Sequence, residues 1–141
     1  MKVLEISIKN QNGQSVKLER ALFIKDKGID GDKNAKGGER QISLLPSKLR
    51  EMIRKGDIDG LCIKRYRENI TYSGGTLIKD KTYKIGDAEI KISETNKACF
   101  PECVNIIDNI KCPLAEGAIF ATIIKTGCIS LNDAIEPLEL E

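Results

Sequence analysis

The sequence predicts a mainly β fold, a small β-barrel with one or two short helices, in a single domain spanning residues 1–141. Many short segments alternate apolar and polar residues, and tight-turn dipeptides separate them. Only one segment has clear helical spacing. A length of 141 residues suits one domain, and a 40% hydrophobic fraction can form a core.

The N-terminal third predicts a β-hairpin followed by a further strand. The turn is Asn12-Gly13, and apolar residues alternate on both sides of it: Leu4, Ile6, Ile8, Val16 and Leu18. Residues 21–24 are all apolar, which predicts a strand buried on both faces. Residues 41–45 predict another short strand.

The clearest helical pattern follows residue 46. Leu49, Met52 and Ile53 share one helical face, Ser47 is a candidate N-cap, and Gly56 is typical of a helix end.

The C-terminal half predicts more strands and hairpins. Residues 70–72 favour a strand, and Gly86-Asp87 is predicted to join two strands of a hairpin. Residues 118–125 fit either a helix or a buried strand. A last hairpin is predicted around Asn132-Asp133.

Composition excludes several classes of function. The chain has 23 basic and 21 acidic side chains, so no strong basic field favours nucleic acid. It has no histidine, which excludes Ser-His-Asp triads, Cys-His nucleophiles and His-ligated metals. The first residues form no apolar signal-peptide core, no segment is long enough to span a membrane, and five cysteines fit no closed disulfide set. We therefore expect a cytoplasmic protein with free thiols.

Two polar segments are candidates for ligand binding. Residues 27–38 form a glycine-rich loop, and together with Lys33, Lys36 and Arg40 this loop could cradle an anion. Arg67 and Asn69 are two residues apart and thus on one strand face, where they could hold a polar ligand.

Three cysteines, at positions 99, 103 and 112, occur where the strand pattern disappears. Lys97 favours a thiolate beside it, the form that binds soft metals and carries sulfur. Spacing alone leaves five alternatives open: structural zinc, an iron–sulfur cluster, a Cys99–Cys103 redox disulfide, one thiolate completing a cofactor site, or inert thiols. Cys62 and Cys128 stand singly and are predicted to be inert.

Six segments, in order along the chain, resemble the MOSC domain, named after the C-terminal domain of molybdenum-cofactor sulfurase. The family's Gly-x-x-Gly-Asp element is matched by residues 28–32, its Arg-Gln-Val-Ser element by residues 40–43 and its Glu-Asn-Leu-Thr element by residues 68–71. Its Gly-Asp element is matched by residues 86–87, its Lys-x-Cys-x-x-x-Cys element by residues 97–103 and its Glu-Gly-Ile-Phe-Ala element by residues 116–121.

The resemblance implies a β-barrel domain that binds molybdenum cofactor (molybdopterin) or handles sulfur destined for a metal site. It implies Cys103 as the molybdenum ligand or persulfide carrier and Cys99 as a second or resolving thiol. We expect the pterin or its phosphate to be held by six residues: Arg40, Ser43, Arg67, Asn69, Asp32 and Lys33. Cofactor-biosynthesis or sulfur-donor proteins would be the partners.

The chain departs from the family pattern at two histidines, which are replaced by Asn34 and Phe100. The loss of imidazole disfavours proton-transfer catalysis more than cofactor binding. Enzymatic activity, as a sulfurtransferase or a molybdenum-dependent reductase, therefore stays open. The alternatives are a non-catalytic carrier or docking module in cofactor assembly and a zinc site on Cys99, Cys103 and Cys112.

Overall fold

A computed structural model describes residues 1–56, 67–95 and 117–138 of the chain. The described part contains eleven strands and one helix. The strands are β1 (Lys2–Lys9), β2 (Ser15–Leu18), β3 (Arg20–Ile24), β4 (Gly28–Ile29), β5 (Ile42–Pro46), β6 (Ile70–Ser73), β7 (Thr82–Ile85), β8 (Ala88–Thr95), β9 (Ile119–Lys125), β10 (Gly127–Ser130) and β11 (Ile135–Pro137), and the helix is α1 (Ser47–Arg54).

Eight strands form one curled sheet in the order β11-β7-β8-β9-β5-β6-β1-β2. Neighbours are antiparallel except β5 and β6, which are parallel with α1 between them in the chain. The start of β1 also pairs with the segment before β11: Val3 N–H donates to Asp133 O at 2.9 Å, and Ile135 N–H donates to Met1 O at 2.9 Å. The sheet therefore closes towards itself, and the predicted barrel-like β fold is confirmed.

The interior of this curled sheet is aliphatic. Its fully buried side chains include Ile6, Ile42, Leu44 and Ile90, together with the aromatic rings of Tyr72 and Tyr83. Strands β10, β3 and β4 form a second sheet, and its inward residues Phe23, Ile29 and Ile129 join the same core. Burying this much apolar surface drives the two sheets together.

The hairpins around Asn12-Gly13 and Gly86-Asp87 are confirmed as β1–β2 and β7–β8. The prediction that Leu4 shares the buried face of β1 with Ile6 is wrong, because the register of the β1–β6 pairing shifts between Val3 and Glu5. Val3 is fully buried there, whereas Leu4 is only half-buried. A bulge of this kind exchanges the faces that the residues on either side of it occupy.

Two further strand predictions are corrected. Strand β3 is buried on one face only, since Leu22 is 38% exposed on the outer face of the small sheet. The last hairpin is absent: β10 pairs with β3, whereas β11 pairs with β7. The turn at Asn132 is thus a corner at which the chain passes from one sheet to the other.

The ambiguous segment 118–125 is strand β9, placed between β8 and β5. Its first three residues, Ile119, Phe120 and Ala121, are all buried. In a central strand that is covered on both faces, apolar and polar residues need not alternate. The sequence pattern therefore could not distinguish a strand from a helix in this segment.

Helix α1 lies where the sequence predicts a helix, but its start and buried face differ from the prediction. Pro46 occupies the N-cap position and no side chain caps the first turn, whereas Gly56, at φ +75°, ends the helix as expected. The helical residue that is buried is Arg50 rather than an apolar one.

Within the described residues, no helix has the length and apolar character needed to cross a bilayer.

Candidate functional site

The glycine-rich loop folds back on itself and carries Asp32 against β1. A side chain at Gly28 would meet Ala35 at 2.9 Å, so the close return of the loop requires glycine. Asp32 is only 8% exposed, and its Oδ1 accepts hydrogen bonds from the N–H groups of Lys9 at 3.2 Å and Asn34 at 3.1 Å. The loop is thus anchored rather than loosely solvated.

Asn69 connects this loop to the barrel wall. Its Oδ1 accepts from the Ser43 N–H at 2.9 Å and from the Ser43 hydroxyl at 3.3 Å. Its Nδ2 donates to Ser7 O at 3.0 Å and to Asp32 Oδ2 at 3.3 Å. An asparagine side chain has two acceptor positions and two donors, so these four bonds use its full capacity.

Arg40 stands at the edge of the same region. Its Nε donates to Glu94 at 2.7 Å, and its guanidinium carbon lies 4.4 Å from the centre of the Phe120 ring. The side chain is 51% exposed. Ion pairing and ring contact therefore orient the guanidinium while half of it faces solvent.

These residues surround a cleft of about 140 Å³. It contains five of the six predicted cofactor-binding residues, and its lining is Asp32, Asn34, Arg40, Gln41, Ile42, Ser43, Arg67, Asn69 and Phe120. Arg40, which is paired with Glu94, and Arg67 bring two guanidinium groups to this lining, and such groups can donate hydrogen bonds to an anionic ligand.

Lys33 is the predicted residue that does not line this cleft. Its backbone N–H donates to Lys9 O at 2.8 Å. Its ammonium is next to Gly13, 3.8 Å from the position that a Cβ atom on this glycine would occupy. The lysine charge is therefore directed to the β1–β2 turn.

Two features of the site escape sequence reasoning. Gln41, 6% exposed, donates to Gly38 O at 2.9 Å and accepts from Ile123 N–H at 2.8 Å, which fixes the loop to β9. No pattern in the sequence distinguishes this glutamine from a surface one.

The second is a buried ion pair behind Asn69. Arg50 of α1 grips both carboxylate oxygens of Glu68, and the Thr71 hydroxyl donates to Glu68 Oε2 at 2.8 Å. The side chains of Arg50 and Glu68 are 9% and 4% exposed. Arg50 adjoins the apolar helix position Leu49, but this placement alone does not predict an inward arginine.

The predictions for Cys62, Cys99, Cys103 and Cys112 lie outside the described residues. The residues that flank the stretch 96–116 do belong to the structure: Glu94 pairs with Phe120, and Thr95 pairs with Ile119. Both partners of the first pair contact Arg40. The chain thus leaves and rejoins the described barrel beside the cleft.

Cys128 is the one cysteine that the described ranges contain, and its free thiol is half-buried on β10. A hydrogen bond with this thiol raises the pKa of the exposed Arg20. In the part of the chain that the structure describes, no group of three or more histidine, cysteine or acidic residues is arranged to hold a metal ion.

No protein-family description matches the chain, and no curated protein is similar in sequence. Solved structures do match. The YuaD protein from Bacillus subtilis superposes with a TM-score of 0.68 at 16% identity, over 99% of this chain and 96% of YuaD.

YiiM from Escherichia coli gives a TM-score of 0.62 at 14% identity, over 100% of this chain and 71% of that one. YiiM from Geobacillus stearothermophilus gives 0.59 at 17% identity, over 98% and 75%. The chain shares the fold of these proteins. At 14%, 16% and 17% identity these likenesses show the fold alone, and they agree with the small β-barrel expected from the sequence.

Proposed function

We propose that this chain is a MOSC-type domain that binds molybdenum cofactor through the cleft around Asn69, with the Cys103 thiolate as metal ligand or sulfur carrier. The observation that carries the proposal is the convergence of Asp32, Ser43 and Asn69 with two guanidinium groups in one cleft. These residues come from three separate parts of the sequence, and each part contains one of the segments on which the family resemblance was built.

The chemistry of the cleft fits an anionic pterin. Arg40 and Arg67 would bind the phosphate or the polar edge of the pterin, since guanidinium groups donate paired hydrogen bonds to planar acceptors and phosphates. Phe120 adds a buried aromatic wall. When bound, the cofactor would supply two-electron redox chemistry at molybdenum.

The sequence predicted that Asn69 binds the ligand directly, whereas in this proposal it positions other residues of the cleft. All four of its side-chain hydrogen bonds are made within the protein. It would therefore position the cleft wall and Asp32, whereas direct contact with the ligand would come from the guanidinium groups.

A carrier or docking module is the second candidate, and the state of Asp32 favours it. That carboxylate accepts from two backbone N–H groups and from the Asn69 amide, so both of its oxygens are bonded within the protein. Among the described cleft residues no other carboxylate is present to act as a base. Holding a cofactor needs no such base.

Binding of purified molybdenum cofactor tests the cleft. We expect Arg40→Gln to weaken binding of the pterin about tenfold or more, because a charge-assisted contact is lost. Lys84→Gln, an exposed change on β7, is the matched control and should bind like the wild-type protein. Equal affinity of the Arg40 and Lys84 variants would contradict the proposal.

Molybdenum content after reconstitution tests the thiol separately. Cys103→Ser should lose the metal while retaining part of the pterin affinity, and Cys62→Ser is the control for removing a cysteine. Full molybdenum content in the Cys103 variant would overturn the ligand assignment. Cofactor binding without sulfur transfer or reduction by any tested donor would favour the carrier over an enzyme.

A further inference from the structure

A second cavity, separate from the cleft around Asn69, lies at one end of the barrel. Its volume is about 390 Å³, which is within the range of small-molecule sites. It is found where β5 and β8 end and β9 begins, and residues 75–79 contribute to its wall. None of the described residues that line it belongs to the lining of the cleft around Asn69.

The wall of this cavity is mainly apolar. Apolar side chains are supplied by Pro46, Leu77, Ile78 and Ile119. Leu77 and Ile119 are buried, whereas Ile78 is 49% exposed. Lys79 is the one charged residue in the lining that the described residues provide, and it faces solvent. A charged group inside the cavity would have no buried counter-ion there, so the cavity suits an uncharged ligand.

The Tyr72 hydroxyl is a buried polar group in the same wall. Tyr72 is 1% exposed, and no described residue forms a hydrogen bond with its hydroxyl. Burial raises the pKa of Tyr72 to about 12, so the hydroxyl is protonated at neutral pH and can donate a hydrogen bond. Buried polar groups nearly always have a partner. A ligand in the cavity would supply the partner that the described residues do not.

Tyr83 shows the contrast with a hydroxyl that is bonded within the protein. It is also 1% exposed, but its hydroxyl accepts a hydrogen bond from the Ile78 N–H at 3.0 Å. This bond fixes the segment that places Ile78 at the cavity. The Tyr83 hydroxyl therefore has a structural role, whereas the Tyr72 hydroxyl is left for a ligand.

We propose that this cavity binds an uncharged, mainly apolar small molecule that carries one hydrogen-bond acceptor, such as a ketone. The Tyr72 hydroxyl would donate to the carbonyl oxygen, and Leu77, Ile78 and Ile119 would contact the apolar part. The proposal does not depend on cofactor binding, because the two sites share no described lining residue. Failure of either proposal would leave the other standing.

Acetophenone is the probe, and NMR amide shifts of the wild-type protein report where it binds. We expect changes at Thr76, Leu77 and Ile78. Changes confined to Ser43 and Asn69 in the other cleft would overturn the proposal. The absence of any binding would also overturn it, and would leave the Tyr72 hydroxyl to a water molecule.

Tyr72→Phe tests the hydrogen bond, with α-methylstyrene as the control ligand, in which a methylene group replaces the carbonyl oxygen. The variant should weaken acetophenone about three- to tenfold and leave α-methylstyrene unchanged, because only the ketone has an acceptor. Each ligand is compared with itself in the two proteins, so the different hydrophobicity of the ligands cancels. Equal effects on both ligands would contradict the assigned contact.

Stability of the ligand-free protein gives an independent result. Tyr72→Phe removes a hydroxyl that lacks a described partner, so the thermal midpoint should stay unchanged or rise. Tyr83→Phe leaves the Ile78 N–H without its acceptor and should lower the midpoint. An equal loss in both variants would mean that the Tyr72 hydroxyl is already bonded within the protein, which would overturn the proposal.

Two exposed isoleucines provide a matched pair for the apolar contact. Ile78 and Ile124 are 49% and 38% exposed, and of the two only Ile78 lines the cavity. Ile78→Ser should weaken acetophenone about threefold or more, because apolar contact area is lost. Ile124→Ser should bind it like the wild-type protein. Equal affinity of these two variants would contradict the assigned position of the apolar part.

Discussion

At the residue scale, Asn69 is the side chain on which the cleft depends most. Its amide is saturated by Ser43, Ser7 and Asp32, so any replacement leaves buried partners unsatisfied. The sequence predicted Arg67 and Asn69 on one strand face, which is wrong, because both residues precede β6, which begins at Ile70. It could not show that the asparagine bonds inward, because the loop carrying Asp32 is brought beside it by tertiary packing.

We predict that Asn69→Asp destabilises the fold by about 2–4 kcal/mol at pH 7, since a second carboxylate then faces Asp32. Urea denaturation measures the loss. In the double variant Asp32→Asn with Asn69→Asp, an amide again faces a carboxylate, and part of the stability should return. A double variant whose loss equals the sum of the two single losses would contradict this pairing.

Glu5 gives a pH-dependent prediction at the same scale. Its pKa is lowered from the ordinary 4.5, mainly by the hydrogen bond to Arg54 and against the effect of burial. A lowered pKa contributes stability above pH 4.5 that disappears as the pH falls through the folded-state value.

Glu5→Gln should therefore lower stability near pH 7, by less than about 1 kcal/mol for this partly exposed pair. The difference from wild type should shrink as the pH falls below the ordinary Glu value of 4.5. Urea titrations at both pH values measure it, with Glu136→Gln as an exposed control. A difference that is larger in acid would show the opposite linkage.

At the element scale, helix α1 is tied to the cleft through one ion pair. Arg50 and Glu68 are both nearly buried, and Glu68 directly precedes Asn69. The sequence predicted this helix from apolar spacing and its final glycine. It could not predict that arginine occupies the inward face, since the compensating carboxylate is 18 residues away in the chain.

We predict that Arg50→Met costs about 3–5 kcal/mol, because it leaves Glu68 buried without its main cation. Arg50→Met combined with Glu68→Leu should cost much less, since a buried ion pair replaced by apolar side chains is often tolerated. Chemical denaturation of the two single variants and the double variant gives the coupling. Additive losses would mean that the two side chains do not stabilise each other.

At the scale of the whole molecule, local alternation predicted most strands but not which sheet each strand joins. The β10 and β11 segments read as a hairpin because Asn132 and Asp133 favour a tight turn. Their actual partners, β3 and β7, lie far away in the sequence. Long-range pairing of this kind is decided by core packing, which no local pattern encodes.

Gly127 of β10 lies against the turn between β7 and β8 of the larger sheet. A side chain there would overlap the backbone of Asp87 in the β7–β8 turn. We predict that Gly127→Ala destabilises the fold by about 1–3 kcal/mol through this overlap. Gly75→Ala, which meets only the flexible Met1 side chain, is the control. Similar thermal midpoints for both variants would contradict this close approach.

Binding of molybdenum cofactor by the cleft around Asn69 can be measured by metal and pterin analysis. Wild-type protein would be incubated with purified cofactor and desalted, and its molybdenum, pterin and zinc contents would then be measured. We expect pterin and molybdenum in equal amounts, approaching one per chain, with no stoichiometric zinc. One zinc per chain with no retained pterin would contradict it and favour a cysteine-ligated zinc site.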